Sequence, residues 1–409
     1  MSPDEANPGG ADPEGANPEW ARAGSGNPGA FDVALCIDRP LHQRLMPALE
    51  GSRKVDVRVC GELPDSWATR ARELRDAPIL ATGVTPWQEG QPTTVLQSTA
   101  AAQALRLDHA ATDFYWPLVE PEGRPPELLV HLRPGARWEV AEIQLLGTVL
   151  ALQMELQGRL ALHASAVAID VGSERAALGP GGLRADGSAG KVSAAVLFLA
   201  AHGGGKTTLA LDFVRAGADL VADDLSIVEL EPGEAGGSGD SGGAKVWPAF
   251  PQMRLWPDHA ATLLGEVAER LSPVLPGAPK LRVPVACEGL PGGVVGSLET
   301  TAQAGSFRRR PVPLRRLYLP QREESAREAR IEAVRIEPLS GPEMLMEVLR
   351  AAFVGGLLER LQDPRRRQGR LDLAAGLLSR VPMKRLIYPS GLEHLSAVRA
   401  AVEKDLASG

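Results

Sequence analysis

A chain of 409 residues with a formal net charge of −7 and 4% aromatic side chains lacks both the basic field that neutralises phosphates and the platforms that stack bases, which argues against a nucleic-acid binder. The length allows two or more domains with a sizeable core, and the absence of any apolar run of about 18 residues predicts no membrane span. Cys36, Cys60 and Cys287 form no CxxC pair, and the acidic, Pro/Gly-rich start lacks the features of a signal peptide, so a reducing, cytoplasmic setting is expected.

Residues 1–30 are built of Asn-Pro, Asp-Pro and Gly-Gly steps. They cannot bury a core and read as a disordered tail. Residues 31–144 read as a small α+β domain. Its strands fall at 32–37, 55–59, 78–82, 93–97 and 128–132, and its helices at 41–49 and 66–75. Asp108, His109, Asp113 and Tyr115 read as part of a solvated loop. This region shows no chemical constellation, which leaves it substrate docking or assembly.

From Val140, apolar residues at helical spacing (Ile143, Leu146, Val149, Leu150, Leu156) predict a core helix that Gly158 stops. A strand over 160–169 carries His163. Residues 172–190 read as a long loop joining that strand to the next in a hairpin, and 231–244 as a second solvated insertion. The domain expected here spans 145–400.

The apolar run 192–199 has the character of a buried strand. It leads into His202-Gly203-Gly204-Gly205-Lys206-Thr207-Thr208. Consecutive glycines let backbone N–H groups turn inward, where a side chain would block close approach. A short helix follows, its first turn placed to face a phosphate, and Gly217 ends it. The strict P-loop pattern is Gly, four residues, Gly, Lys, Ser/Thr. Ala200 stands at the first position here, while Gly205, Lys206 and Thr207 match.

Strand 218–222 ends in Asp223-Asp224. A helix of about ten residues runs back ~15 Å, and a strand of four or five residues returns about as far. The carboxylates are therefore expected beside the glycine loop, at the carboxyl end of one sheet. In this arrangement the loop N–H groups and Lys206 hold nucleotide phosphates. Thr207 ligates Mg²⁺ together with Asp224, although either carboxylate fits. The other carboxylate accepts a proton.

Downstream, 246–258 reads as an extended, packed loop and 259–270 as a helix. Strands follow at 281–286, 313–319 and 385–388, and helices at 342–361, 371–378 and 391–406. Arg254, Lys280 and Arg282 are candidate phosphate or substrate contacts, a structural salt bridge being an equal reading for Arg254. The runs Arg308-Arg309-Arg310 and Arg365-Arg366-Arg367 read as solvated faces.

Three stretches together resemble the HPr kinase/phosphorylase family, whose wider relatives include the phosphoenolpyruvate carboxykinases. They are Leu162-His163-Ala164-Ser165-Ala166, the loop Gly203–Thr208, and Leu220-Val221-Ala222-Asp223-Asp224. Pro251–Pro257 and Pro311-Val312-Pro313-Leu314 look like HPr-kinase-related proteins of peptide-modification settings. The resemblance covers roughly 140–400. It implies an α/β fold with a P-loop core of HPr kinase/PEP carboxykinase type, a mixed β-sheet and a smaller N-terminal domain. It implies that His163 is an active-site histidine paired with the catalytic aspartate, and that Asp223 and Asp224 supply base and metal-ligand functions. The function expected is ATP- and Mg²⁺-dependent phosphoryl transfer to a serine hydroxyl of a peptide or small protein. A nucleotide-binding regulator without transfer activity, favoured by Ala200, and a small-molecule kinase are the alternatives. Homo-oligomerisation stays open.

Overall fold

The computed structural model describes residues 28–37, 39, 41, 42, 45–83, 94–99, 104–118, 125–170, 193–201, 203–232, 242–287, 305–323, 334–359 and 364–408. The expected tail up to residue 27, the insertion at 172–190, most of that at 231–244, and His202 lie outside the described residues. The described chain is α/β with mixed sheets, and among these residues no helix is long and apolar enough to cross a membrane.

The first sheet takes β1 (Pro28–Ala30), β2 (Val33–Ile37), β3 (Met46–Pro47) and β4 (Arg53–Cys60). After α1 (Asp65–Asp76) come β5 (Ile79–Gly83), β6 (Thr94–Thr99), β7 (Ala104–His109), β8 (Thr112–Pro117) and β9 (Glu127–Leu132). The order is β3-β1-β2-β4-β9-β8-β7-β6-β5, parallel through β2, β4 and β9 and antiparallel elsewhere. Two expectations fail here. Residues 46–47 of the expected helix 41–49 pair with β1 instead, and Met46 is buried. The expected loop around 108–115 is the β7–β8 hairpin, in which Asp113 and Tyr115 are fully buried.

Those polar residues form a network. Arg106 Nε donates to Asp113 Oδ1 at 3.0 Å, and Arg75 Nε donates to the Tyr115 hydroxyl at 3.1 Å. His131 Nδ1 lies 3.2 Å from Asp113 Oδ2. Burial works to raise the Asp113 carboxyl, but Arg106 and Arg133 outweigh it and hold the group below its ordinary value.

Next, α2 (Trp138–Gln144), a π-helical turn (Leu145–Val149) and α3 (Leu150–Leu156) run on without a break. One apolar core joins this run (Leu145, Val149, Leu152) to the first sheet (Leu35, Val57, Phe114, Val130) and to a second (Leu162, Leu197, Ile227, Leu317). The expected division at 144/145 falls inside this helical run.

The second sheet holds β10 (Leu160–Leu162), β11 (Ala164–Asp170) and β12 (Ser193–Leu199). After α4 (Lys206–Arg215) come β13 (Asp219–Ala222), β14 (Ser226–Leu230) and β15 (Ala244–Trp247). A separate hairpin, β16 (Gln252–Leu255) with β17 (Leu281–Pro284), encloses α5 (Pro257–Leu264) and a 3₁₀ stretch, so the extended segment before α5 is part strand. Then follow β18 (Val312–Glu323), β19 (Arg335–Pro338), α6 (Gly341–Arg350), α7 (Gly355–Glu359), α8 (Pro364–Arg380), β20 (Met383–Pro389) and α9 (Leu395–Ser408). The order is β10-β14-β15-β18-β12-β11-β13, with β20 parallel to β18 and β19 on β20. The helix expected over 342–361 is broken between α6 and α7, where the Ala351 carbonyl accepts the His163 N–H at 2.6 Å.

The crossover through α4 sets the site. β12 and β13 are each antiparallel to β11, so they run the same way with β11 between them. Leu209, Ala210, Leu211, Phe213 and Val214 of α4 are at most 1% exposed and share a core with Val196, Phe198 and Leu386. Burying each Leu or Phe contributes about 1.5–3 kcal/mol, enough to fix the helix, and the loop before it, against the sheet.

Asp113→Ala should lower unfolding stability by about 1.5–3 kcal/mol, because it removes one charged acceptor of the buried Arg106 while Asp108 still faces that guanidinium; urea denaturation measures this. The contribution from Asp113 is complete above its unfolded-state pKa of ~4 and is lost as pH falls through the depressed folded value. The difference between wild type and variant should therefore shrink in acid.

Candidate functional site

The loop after β12 turns on glycines at two left-handed positions, Gly203 (φ 79°) and Gly205 (φ 84°). Gly204 is fixed by space: a Cβ there would lie 2.4 Å from the Ala200 methyl. Ala200 thus packs into the room that Gly204 leaves. Gly204 N–H bonds the Ala201 carbonyl at 3.0 Å, and Leu209 N–H closes the first helical bond to Gly205 at 2.9 Å. The N-terminus of α4 has no side-chain cap. Its first N–H groups, at Lys206, Thr207 and Thr208, have no intrahelical acceptor.

Lys206 is 6% exposed, and its ammonium donates to the carbonyls of Ala200 (2.6 Å) and Ala201 (3.1 Å). Burial pushes its pKa down to about 8, against the pull of Asp224 and Asp223.

Asp223, 5% exposed, follows β13 directly and accepts three hydrogen bonds. Oδ1 takes the Ser165 hydroxyl at 2.6 Å and the Thr207 hydroxyl at 2.8 Å; Oδ2 takes the Arg254 backbone N–H at 2.9 Å. Of the two carboxylates, the Thr207 hydroxyl meets Asp223. Asp224 has φ +69°, a left-handed conformation that Asp tolerates better than most residues and that costs of order 1 kcal/mol. Its carboxylate faces the Arg254 guanidinium at 2.8 Å and His163 Nδ1 at 3.4 Å. Burial opposes ionisation, but Arg254, His163, Lys280 and Lys206 outweigh it and hold Asp224 below the usual carboxylate range.

His163 occupies the break between β10 and β11, its side chain 26% exposed and its ring 5.9 Å from that of Phe353. Burial lowers its pKa more than the aspartates raise it, so the neutral form prevails at pH 7. Nδ1 lies 3.0 Å from the Asp224 carbonyl. A carbonyl only accepts, which assigns the proton of the neutral ring to Nδ1 and leaves Nε2 as an acceptor.

No family model matches this chain, and no curated protein matches it.

The structure brings together Gly203, Gly204, Gly205, Lys206, Thr207, Thr208, His163, Asp223, Asp224 and Arg254. Lys280 stands within electrostatic reach of Lys206 and Asp224, its ammonium 5.7 Å from the centre of the Trp256 ring. Arg282 is turned elsewhere, donating to the carbonyls of His42 (2.7 Å) and Val274 (2.9 Å). Four residues were missed. Ser165 carried a signal: two residues after His163, it falls on the same strand face. His259, which meets the Thr208 hydroxyl at 2.9 Å, Arg322, which donates to the Gly203 carbonyl at 2.6 Å, and Tyr388, beside Gly205, arrive from distant segments and carried none.

The donors fit a magnesium–nucleotide pair. An uncapped helix N-terminus and a lysine suit phosphate. A hydroxyl beside a carboxylate suits Mg²⁺, which takes one or two protein carboxylates and completes its shell with phosphate oxygens and water. Among the described residues no group of three or more His, Cys, Asp or Glu could hold a metal ion.

A lysine with a lowered folded-state pKa binds fewer protons folded than unfolded between about 8 and 10.5, so stability rises with pH across that window, by on the order of 2–3 kcal/mol. Chemical denaturation at pH 7 and pH 10 should show this rise in wild type relative to Lys206→Met, which lacks the titrating group.

Proposed function

We propose that the chain is a phosphotransferase of the HPr-kinase-related type, with a P-loop core, that moves the terminal phosphoryl group of ATP to a hydroxyl of a peptide or small protein. The observation that carries this reading is the meeting of Thr207 with Asp223 and of His163 with Asp224, at one end of one sheet and beside Lys206. The resemblance of the same three stretches to HPr kinase/phosphorylase supports it.

In this reading the glycine loop, Lys206 and the first N–H groups of α4 hold the phosphates, and Thr207 and Asp223 hold Mg²⁺. The bound Mg–nucleotide supplies the phosphoryl group and neutralises charge that develops on it. The chain's own residues do the rest. Ser165, Thr207 and the Arg254 N–H fix the Asp223 carboxylate in one orientation. Arg254 keeps Asp224 ionised. Asp224 orients His163 through Nδ1, so that Nε2 can receive the proton of the acceptor hydroxyl. The burial that keeps His163 neutral at pH 7 also keeps that nitrogen free to act. Arg254, bound to both aspartates, orients the pair rather than binding phosphate.

A nucleotide-binding regulator without transfer activity is favoured by one observation: Lys206 is held by the Ala200 and Ala201 carbonyls.

With labelled ATP, Mg²⁺ and a panel of serine-containing peptides, wild-type protein should transfer phosphate. Lys206→Ala and Asp223→Asn should each reduce the rate at least ~100-fold. The rate should rise with pH through a value below the ordinary ~6.5 of histidine, a limb that His163→Ala should lose. Transfer undiminished in both Lys206→Ala and Asp223→Asn sinks the assignment. Saturable ATP binding with no turnover across the panel selects the regulator.

A further inference from the structure

β18 outruns the strand it flanks. It is parallel to β12, and the last register partners of the two are Tyr318 and Phe198, yet β18 continues to Glu323 in register with β20. Arg322 therefore stands about 13 Å beyond Tyr318 along the strand, level with the glycine loop that follows β12. Tyr388 is its register partner on β20. These two strands wall one flank of the loop. The Asp223 carboxylate that bonds Thr207 comes from the other flank, where β11 and β13 lie on the far side of β12.

The wall meets the loop at two points. Arg322 Nη2 donates to the Gly203 carbonyl at 2.6 Å. The Tyr388 hydroxyl and Arg322 Nε lie 3.3 and 4.0 Å from the place a Cβ on Gly205 would take. The first contact fixes an orientation as well as a position. In a trans peptide the carbonyl and the N–H that follows it point opposite ways. With its oxygen turned out to Arg322, the peptide between Gly203 and Gly204 turns its N–H in, to the Ala201 carbonyl at 3.0 Å. Neither residue has a Cβ to bar the flipped peptide, so the loop sequence does not choose between the two. Flipped, the oxygen would face the cradle, where its partial negative charge opposes a phosphate that N–H groups attract. A guanidinium only donates, and it therefore selects the outward carbonyl.

We propose that Arg322 is a positioning residue for the phosphate cradle: it holds the Gly203 carbonyl outward and so keeps an oxygen away from the nucleotide phosphates. This rests on the glycine loop being a nucleotide site. Arg322 acts through the loop and not by touching the ligand. Its side chain is exposed, so its loss leaves the fold's stability almost unchanged and its effect is confined to binding.

Isothermal titration of the full-length chain with ATP and with ADP, each with Mg²⁺, tests it in wild type, Arg322→Met and Arg322→Lys. Methionine keeps an aliphatic stem and removes every donor. It should weaken both nucleotides by a similar factor of at least ~10, which one hydrogen bond from a charged donor supplies. The contact with Gly203 is a single bond and not a bidentate one, so a lysine suits it, and Arg322→Lys should bind both nucleotides within ~3-fold of wild type. Without ligand, Arg322→Met should unfold at the wild-type temperature. Four results overturn the proposal and leave the phosphotransferase reading standing: unchanged affinity in Arg322→Met, a loss confined to ATP (a direct contact with the terminal phosphate), no recovery in Arg322→Lys, or a lowered unfolding temperature in Arg322→Met. Wild-type protein that binds neither nucleotide sinks both.

Discussion

The Asp223 carboxylate ties four segments into one site. It is nearly inaccessible and receives a hydroxyl from β11, a hydroxyl from the first turn of α4 and a backbone N–H from β16, while itself standing at the end of β13. A buried charge is tolerated only when its lone pairs are met. Each of the three donors is therefore constrained in position by the need to satisfy this one acceptor. Hydrogen bonds to a charged group contribute roughly 1.5–3 kcal/mol each. The set outweighs the small cost of the left-handed turn at Asp224, which lets the second carboxylate reach His163 and the Arg254 guanidinium.

The same economy of space governs the charge around it. Burial drives Lys206 and His163 toward their neutral forms while Asp224 stays ionised, held chiefly by Arg254. Desolvation and pairing thus act in opposite directions on neighbouring groups, and perturbed groups gathered in this way make a functional-site candidate. The Asp113 network of the first sheet is the contrast. It too is a buried carboxylate among arginines, but Arg106 and His131 reach it from strands of the same sheet.

Much of the candidate site was legible in the sequence because it is local. The glycines, Lys206 and Thr207 are contiguous, and the return of Asp223-Asp224 to the loop follows from the lengths of one helix and one strand. The intervening β11 was not legible, since strand order depends on non-local pairing. Arg254 and Arg282 illustrate the limit: they are register partners on β16 and β17, yet one guanidinium meets Asp224 and the other the His42 carbonyl. Sequence offers nothing to separate them. The β7–β8 hairpin was hidden for a related reason. Arg106, Asp108 and Asp113 look solvated one by one, and only cross-strand pairing makes their burial affordable. Ser165 is the residue that strand periodicity could have supplied.

In the proposed function, Thr207 and Asp223 form one magnesium-dependent half of a nucleotide site. Thermal unfolding with ATP, with and without Mg²⁺, tests it most directly. A ligand at about 100 times its Kd stabilises the folded state by ~2.7 kcal/mol. Such a stabilisation should appear in wild type with ATP and Mg²⁺, and shrink strongly when Mg²⁺ is removed or Asp223 is changed to Asn. An equal shift under all three conditions, or no shift with ATP and Mg²⁺ in wild type, contradicts a magnesium–nucleotide site at these residues.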